Sequence, residues 1–308
     1  METLLSFENP IVLLNPTANR GRMDIYQTLV RRRVEQEPPA EYIETTRQGE
    51  AQERARQAAE AGRPVIVVGG DGTLHEVVNG LLSVERRVPL GIVPAGSGND
   101  YAWNTLKLPR DPVAAVERAF SGNPIYVDAG IVNGRYFANS FSVGLDADIA
   151  VAAASLKKYP LMSGERLYYG ATLRQLLFGY GRCPWLRFYL NEGTAQAQVN
   201  GEQRHYVLMA VTIGPTYGAG FRINPQADYS DGLFDVCTIT YTPLLRALRL
   251  LPIVQRGEHA NLPEVTFYHA KTVQIESRST VNIQMDGETT SATSCNAHIL
   301  PKALIVRV

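Results

Sequence analysis

The sequence predicts an α/β first half followed by a mostly β second half. Two observations carry this. Over the first 128 residues, short unbroken apolar runs alternate with helical periodicities. Continuous apolar strands between helices mean a parallel sheet covered on both faces. Beyond residue 129, strands follow one another with only two helical stretches among them. That pattern points to a β-sandwich. The expected domains are 1–128 and 129–308, with Leu304 to Val308 free to return to the first.

The elements follow in order. Pro10 to Asn15 is an apolar run closed by turn residues, a buried strand. Asp24 to Val34 reads as helix, with Ile25, Leu29 and Val34 near one face. Tyr42 to Thr45 is a second strand. Glu50 to Ala61 is an Ala-rich helix with Glu50 and Arg54 at supportive i,i+4 spacing and Gly62 as its stop. Pro64 to Val68 is the third strand, Thr73 to Leu82 a helix that Thr73 can cap, and Leu90 to Val93 the fourth strand. In the second half, Tyr136–Val143, Trp185–Leu190, Tyr206–Ile213, Leu233–Thr240, Thr272–Glu276, Val281–Met285 and Ala303–Val308 read as strands. Glu165–Tyr180 and Leu244–Gln255 read as helices, Pro252 being a kink or an end.

Composition excludes several classes. The 308 residues carry 30 Lys+Arg against 30 Asp+Glu. Zero formal charge argues against a nucleic-acid binder and against anchoring by bulk charge on an anionic membrane. The basic residues are 25 Arg and 5 Lys, a bias that by itself assigns nothing. No run reaches the ~18 apolar residues of a membrane span. Met1 to Leu5 shows no signal-peptide pattern, and Glu2 stands where myristoylation needs glycine. Cys183, Cys237 and Cys295 are widely spaced and odd in number, which fits a reducing cytosol. The expected location is cytoplasmic.

The segment Gly69-Gly70-Asp71-Gly72-Thr73-Leu74-His75 follows a buried strand and opens a helix. Glycines there let backbone N–H groups close on phosphate oxygens, and the helix N-terminus adds partial positive charge. Asp71 makes sense near Mg²⁺ or a proton in transfer. A second loop, Gly96-Ser97-Gly98-Asn99-Asp100, ends the next strand. Ligands of parallel α/β sheets sit beyond the carboxyl ends of the strands. Asn15-Pro16-Thr17-Ala18-Asn19 and Thr45 end strands on that same edge, so one nucleotide site is expected there. No Gly-Lys, His-Arg-Asp, GxSxG or HExxH occurs, and neither glycine loop continues as GxGxxG.

Two acidic clusters follow in the β half. Asp228-Tyr229-Ser230-Asp231-Gly232-Leu233-Phe234-Asp235 reads either as a turn or as a hard-cation site of carboxylate and carbonyl oxygens. Gln284-Met285-Asp286-Gly287-Glu288 reads as a hairpin turn or as a rigidly held general base.

GGDGTLHEVVNG (69–80), PAGSGND (94–100), SDGLFDV (230–236) and QMDGE (284–288) resemble the diacylglycerol kinase catalytic-domain family, in family order and across nearly the whole chain. Bacterial soluble diacylglycerol kinases and the sphingosine and ceramide kinases belong to it. The resemblance implies a first domain related to phosphofructokinase and NAD kinase, a C-terminal β-sandwich, and ATP bound in the cleft between them. It implies ATP contacts from Asn15 to Asn19, Thr45, Gly69 to His75 and the Ser97 loop. It implies a structural Mg²⁺ at Asp231, with oxygens near Asp228 and Leu233. Glu288 becomes the expected proton acceptor with Asp286 beside it, and Asp71 its rival. Ser97 stands where Thr is usual and His75 where Asn is frequent.

The expected reaction is in-line attack of a lipid hydroxyl on the γ-phosphate of Mg-ATP during transient peripheral contact with a membrane. Residues 149–162 and Leu167, Tyr168, Ala171, Leu176 and Leu177 read either as apolar faces packing on the sandwich or as an acyl-chain pocket or interfacial lid. A soluble-substrate kinase of the NAD kinase type and a non-catalytic nucleotide or lipid sensor are the alternatives. The acceptor lipid is open, as is the choice between monomer and homodimer.

Overall fold

The computed structural model describes residues 7–36, 39–156, 164–191, 197–199, 202–218 and 220–308. The chain divides into two units, Met1–Ala129 with Pro301–Val308, and Gly130–Leu300.

In the first unit the apolar runs become β1 (Ile11–Leu14), β2 (Glu41–Glu44), β3 (Val65–Gly69) and β4 (Pro89–Pro94). They pair in parallel in the order β2-β1-β3-β4. β1, β3 and β4 are buried along their whole length, which is why their sequences are apolar without alternation. The helices are α1 (Asp24–Glu35), α2 (Glu50–Ala61), α3 (Asp71–Leu82) and α4 (Pro112–Ser121). α2 and α3 cross closely at Gly80, where a Cβ would lie 2.3 Å from the Gln52 carbonyl. α4 is absent from the sequence reading, although Asp111 caps the Ala114 N–H at 2.9 Å and Pro112 follows it. β5 (Pro124–Val132) is also unforeseen.

The second unit contains β6 (Arg135–Phe137), β7 (Ser140–Gly144), β8 (Trp185–Leu190), β9 (Gln198–Val199), β10 (Arg204–Thr212), β11 (Phe234–Thr240), β12 (Val265–Ala270) and β13 (Thr272–Met285). Their pairings are antiparallel. β13 changes partner across a bulge between Glu276 and Val281. Residues 273–277 pair with β8, and residues 283–285 with β7. One core, including Phe137, Phe141, Phe188 and Phe234, fills the sandwich. A second core is shared with α5 (Leu145–Leu156), α6 (Gly164–Phe178) and α7 (Leu244–Arg256).

β14 (Glu288–Arg307) starts in the second unit, and its end pairs in parallel with β4 through Ile305 and Val306. The last strand therefore does return. The Lys302 N–H donates to Asp128 Oδ1 at 2.7 Å, and Arg87 donates to the Lys302 carbonyl at 2.8 Å.

Four expectations need correction. Thr73 does not cap α3: the N-cap is Gly70, and Thr73 lies inside the first turn. The run 136–143 is two strands, broken where the N–H groups of Ala138, Asn139 and Ser140 turn to the Asp286 carboxylate. Thr272 to Met285 is one strand carrying a bulge. Of the two readings of Pro252, a kink or an end, the end is excluded, since Pro252 lies inside α7, which continues to Arg256. The carbonyl that Pro252 leaves without an N–H belongs to Leu248, an exposed residue. The basic stretch 157–162 lies outside the described residues, as do the side chains of Leu167 and Tyr168.

Candidate active site

In the first unit, three strand-end loops are bonded to one another. Asn15 donates from Nδ2 to Thr73 Oγ1 at 2.9 Å, while its Oδ1 accepts the Thr17 N–H and hydroxyl at 3.0 and 2.8 Å. Pro16 and Ala18 are half-buried, Thr17 and Asn19 exposed, and Asn19 is left-handed at φ 47. The Thr45 N–H donates to the Leu14 carbonyl at 2.9 Å, so Thr45 sits at the ends of β1 and β2.

The two glycine loops touch backbone to backbone. A Cβ on Gly96 would stand 2.4 Å from the Gly70 Cα, and one on Gly98 would stand 2.6 Å from Asp71 Oδ2. At Gly96, where the obstacle is backbone, only glycine permits this approach. Asp71 joins them: Oδ2 accepts the Asn99 N–H at 2.7 Å and Oδ1 the Asp100 N–H at 3.1 Å. Asn99 is buried at φ 55, and its side chain closes a ring with Gly96, accepting from N at 3.0 Å and donating to O at 2.7 Å. Asp100 accepts from the Asn104 side chain. Ser97 and Gly98 are left at the exposed tip.

Gly69, Gly70 and Gly72 supply the close backbone, and Thr73, Leu74 and His75 turn inward. The His75 side chain is only 4% exposed and lies against Asn79, whose Nδ2 is 3.3 Å from Nε2. The Leu74 side chain is buried as well.

In the second unit, the two acids of the DGE turn are in different situations. Asp286, left-handed at φ 48, accepts three backbone N–H groups. These come from Ala138 at 2.7 Å, Asn139 at 3.0 Å and Ser140 at 3.0 Å. Asn139 is itself buried and donates from Nδ2 to the Thr216 carbonyl at 2.8 Å. Asp286 is thus a clamp on the β6–β7 connection, a role with no local sequence signal. Glu288 is half-buried, and its carboxylate makes no hydrogen bond or ion pair among the described residues. It is the acid of the pair with its lone pairs uncommitted.

Asp228 and Asp231 are exposed and locally bonded. Asp228 Oδ1 accepts from Ser230 N and Oγ at 2.9 and 2.8 Å, and Asp231 Oδ1 from the Leu233 N–H at 2.9 Å. Asp235, the last acid of this cluster, is buried and pairs with His269 at 3.2 Å through Oδ1, while its Oδ2 has no partner. Burial pushes the Asp235 carboxyl up to about 6. His269 opposes this, and the negative charges of Asp231 and Asp228 add to it. Crowded hard oxygens of this kind suit a divalent cation. Among the described residues, no three His, Cys, Asp or Glu side chains form a ready metal centre, so such an ion would draw on backbone carbonyls and water as well.

An apolar cavity of about 90 Å³ lies in the second unit between α5, α6, α7 and the sheet, with Ile149, Leu176, Val207, Ile239, Leu250 and Val254 in its walls. Its walls also hold Asp146, which is 8% exposed. The Tyr217 hydroxyl donates to Asp146 Oδ2 at 2.5 Å, and burial raises the Asp146 carboxyl. Asp146 shares the first turn of α5 with Asp148, and nothing local in the sequence singles it out.

Residues 9–132 match the diacylglycerol kinase catalytic domain, and residues 139–308 match the YegS C-terminal NAD kinase beta sandwich-like domain. The chain belongs to the diacylglycerol kinase and YegS-like lipid kinase family. Among family members, the diacylglycerol kinase of Bacillus subtilis (strain 168) is 29% identical, covering 90% of this chain and 88% of that protein. A Chromohalobacter salexigens protein named "Probable lipid kinase YegS-like" is 32% identical over 83% of this chain and 79% of its own length. A crystal structure of a diacylglycerol kinase from Bacillus anthracis str. Sterne has the same fold. It superposes with a TM-score of 0.74 at 21% identity, covering 98% of this chain and 97% of that one. Family membership thus agrees with an α/β domain followed by a β-sandwich. No helix among the described residues is long and apolar enough to cross a membrane.

Proposed function

We propose that this protein transfers the γ-phosphate of ATP to the hydroxyl of diacylglycerol or a closely related lipid. The observation that carries the reading is the Asp71 link, which holds two glycine loops together at the carboxyl ends of adjacent parallel strands. Glycine backbone at that edge, opening the α3 N-terminus, suits a polyphosphate. Asn15, Pro16, Thr17, Ala18, Asn19 and Thr45 would contact the nucleotide, with the backbone of 69–73 and the Ser97–Gly98 tip on its phosphates.

The chain's own groups perform the transfer in this reading. Backbone N–H groups of the loops bind and orient the phosphates. Asp71 positions the loops rather than moving a proton, because both its oxygens receive backbone N–H groups. Glu288 accepts the lipid hydroxyl proton as the hydroxyl oxygen attacks phosphorus and the ADP oxygen leaves, a contribution of roughly 10²–10⁴-fold. Asp286 fixes the strand end beside it. Asp228, Asp231 and the Leu233 carbonyl would hold Mg²⁺. Bound there, the ion would neutralise the acids before β11. The apolar cavity would take the chain end of the lipid, its walls parting to admit more. The protein would act in the cytoplasm, meeting the bilayer transiently.

The test is phosphotransfer from labelled ATP to diacylglycerol, sphingoid, phosphatidylglycerol and isoprenoid alcohols, with NAD alongside. Label in a lipid product supports the reading. Label in NAD alone would replace it with the soluble-substrate alternative, and no label in any acceptor would overturn it in favour of a sensor.

A further inference from the structure

Large apolar side chains exposed on the first unit are scattered over separate elements. On the second unit most of those described lie on two helices. α6 presents Leu173, Leu177 and Phe178 outward, and α7 presents Leu245 and Leu248. Phe178 is 74% exposed and Leu245 is 72%. The opposite faces of the same helices, through Thr172, Leu176, Leu250 and Val254, wall the apolar cavity. A surface helix of a globular protein keeps its outer face polar. These two do not.

The two helices meet at a run of rings. The Tyr180 hydroxyl, just past α6, donates to the Thr242 carbonyl, just before α7, at 2.7 Å. Tyr180 and Tyr241 lie 5.1 Å apart. His205 stacks on Tyr241 at 3.9 Å and on Trp185 at 5.1 Å. Trp185 and Tyr241 are exposed.

Charge supplies the second argument. Residues 170–190 and 241–257 contain Arg174, Arg182, Arg187, Arg246, Arg249 and Arg256 and no Asp or Glu. Arg246 is tied to Glu264, and Arg256 to Glu258. Arg174 and Arg249, beside the exposed leucines, have no ion pair among the described residues. Arg182 lies near Asp148 and Arg187 near Glu276, so the positive charge this face offers is that of Arg174 and Arg249.

We propose that the outer faces of α6 and α7, joined by the Trp185–His205–Tyr241 stack, form the surface by which this protein docks on an anionic bilayer. Leucines, phenylalanine and tryptophan enter the headgroup–acyl boundary while the guanidinium groups meet lipid phosphates. A second copy of the chain fits poorly, because a two-fold contact would set this arginine-rich surface against itself. The inference deepens the lipid-kinase reading by locating where that site meets its substrate's bilayer, and it rests on that reading for its purpose.

The experiment is vesicle flotation with phosphatidylcholine alone and with added phosphatidylglycerol, using the full chain and the variant Leu177→Ser/Phe178→Ser/Leu245→Ser. All three positions are exposed and none lines the cavity, so the melting temperature should hold. The expected result is flotation of the parent with phosphatidylglycerol vesicles only, weakened by salt and reduced about tenfold or more in the variant. A second variant, Arg174→Gln/Arg249→Gln, should lose the phosphatidylglycerol preference. Phosphorylation of a monomeric short-chain diacylglycerol should be unchanged in the triple variant, while that of long-chain diacylglycerol in vesicles falls. Equal flotation of parent and triple variant overturns the proposal. So does a lipid-free parent that sediments as a dimer which the triple variant abolishes, since a second copy then covers this face. If flotation depends on the face but no lipid is phosphorylated, the docking surface stands and the kinase reading falls.

Discussion

The Asp71 carboxylate receives the Asn99 backbone N–H at 2.7 Å, and through this bond the loop after β3 holds the loop after β4. Asn at position 71 would set an N–H₂ against one of two backbone N–H donors. Hydrogen bonds to a charged group contribute about 1.5–3 kcal/mol each, and part of that is lost. Asp71→Asn should therefore lower the melting temperature and raise KM for ATP while leaving KM for lipid near its parent value. Steady-state kinetics with thermal melts check this. A collapse of kcat at unchanged KM and stability would make Asp71 a catalytic residue instead.

The DGE turn separates a clamp, Asp286, from the proposed proton acceptor, Glu288. Glu288→Gln should keep the melting temperature and cost about 10²-fold or more in kcat. Asp286→Asn should lower both, because the three N–H groups it receives lose their anion. Activity of Glu288→Gln within a few-fold of the parent would show that Glu288 is not the proton acceptor.

Glycine at the loop contact is a steric requirement. Gly96→Ala puts a methyl group 2.4 Å from backbone, whereas Gly98→Ala meets the end of the Asp71 side chain at 2.6 Å. The first should lose nucleotide binding almost entirely. The second should lose it in part as Asp71 shifts. Gly181→Ala, with open space around it, is the control and should bind as the parent does. Nucleotide titration followed by fluorescence ranks the three.

Asp235 makes stability depend on pH. Its folded-state pKa is raised to about 6, so the folded chain holds this proton more tightly than the unfolded chain. That contribution is fully present below about pH 4 and is lost as pH rises through about 6. Asp235→Asn, which cannot ionise, should melt roughly 2–6 °C above the parent at pH 7.5 and show no advantage at pH 4. Mg²⁺ should raise the parent's melting temperature at pH 7.5, and Asp231→Asn should remove that response. Calorimetry across pH and Mg²⁺ tests both statements.

The first unit was the more legible half. β1, β3 and β4 are buried on every residue, so their runs are apolar throughout, and α2 carries its own glycine stop. The sandwich strands hide better. Ser277 to Thr280 are polar because β13 bulges there, and the mostly exposed residues 289–294 disguise the start of β14. At the site, glycine motifs announced the loops. The burden on Asp286 was invisible, because the N–H groups it receives lie 146 to 148 residues away. Asp146 was missed for a related reason: only the fold closes apolar walls around it.

The return of β14 has a consequence for how the chain is made. The backbone of β4 stays unpaired along one edge until Ile305 and Val306 have been synthesised, and Arg87 waits for a carbonyl 215 residues further on. During translation the first unit thus presents an open strand edge while the whole sandwich emerges behind it. A fragment ending near residue 129 should aggregate, and supplying residues 301–308 as a peptide or by circular permutation should rescue it.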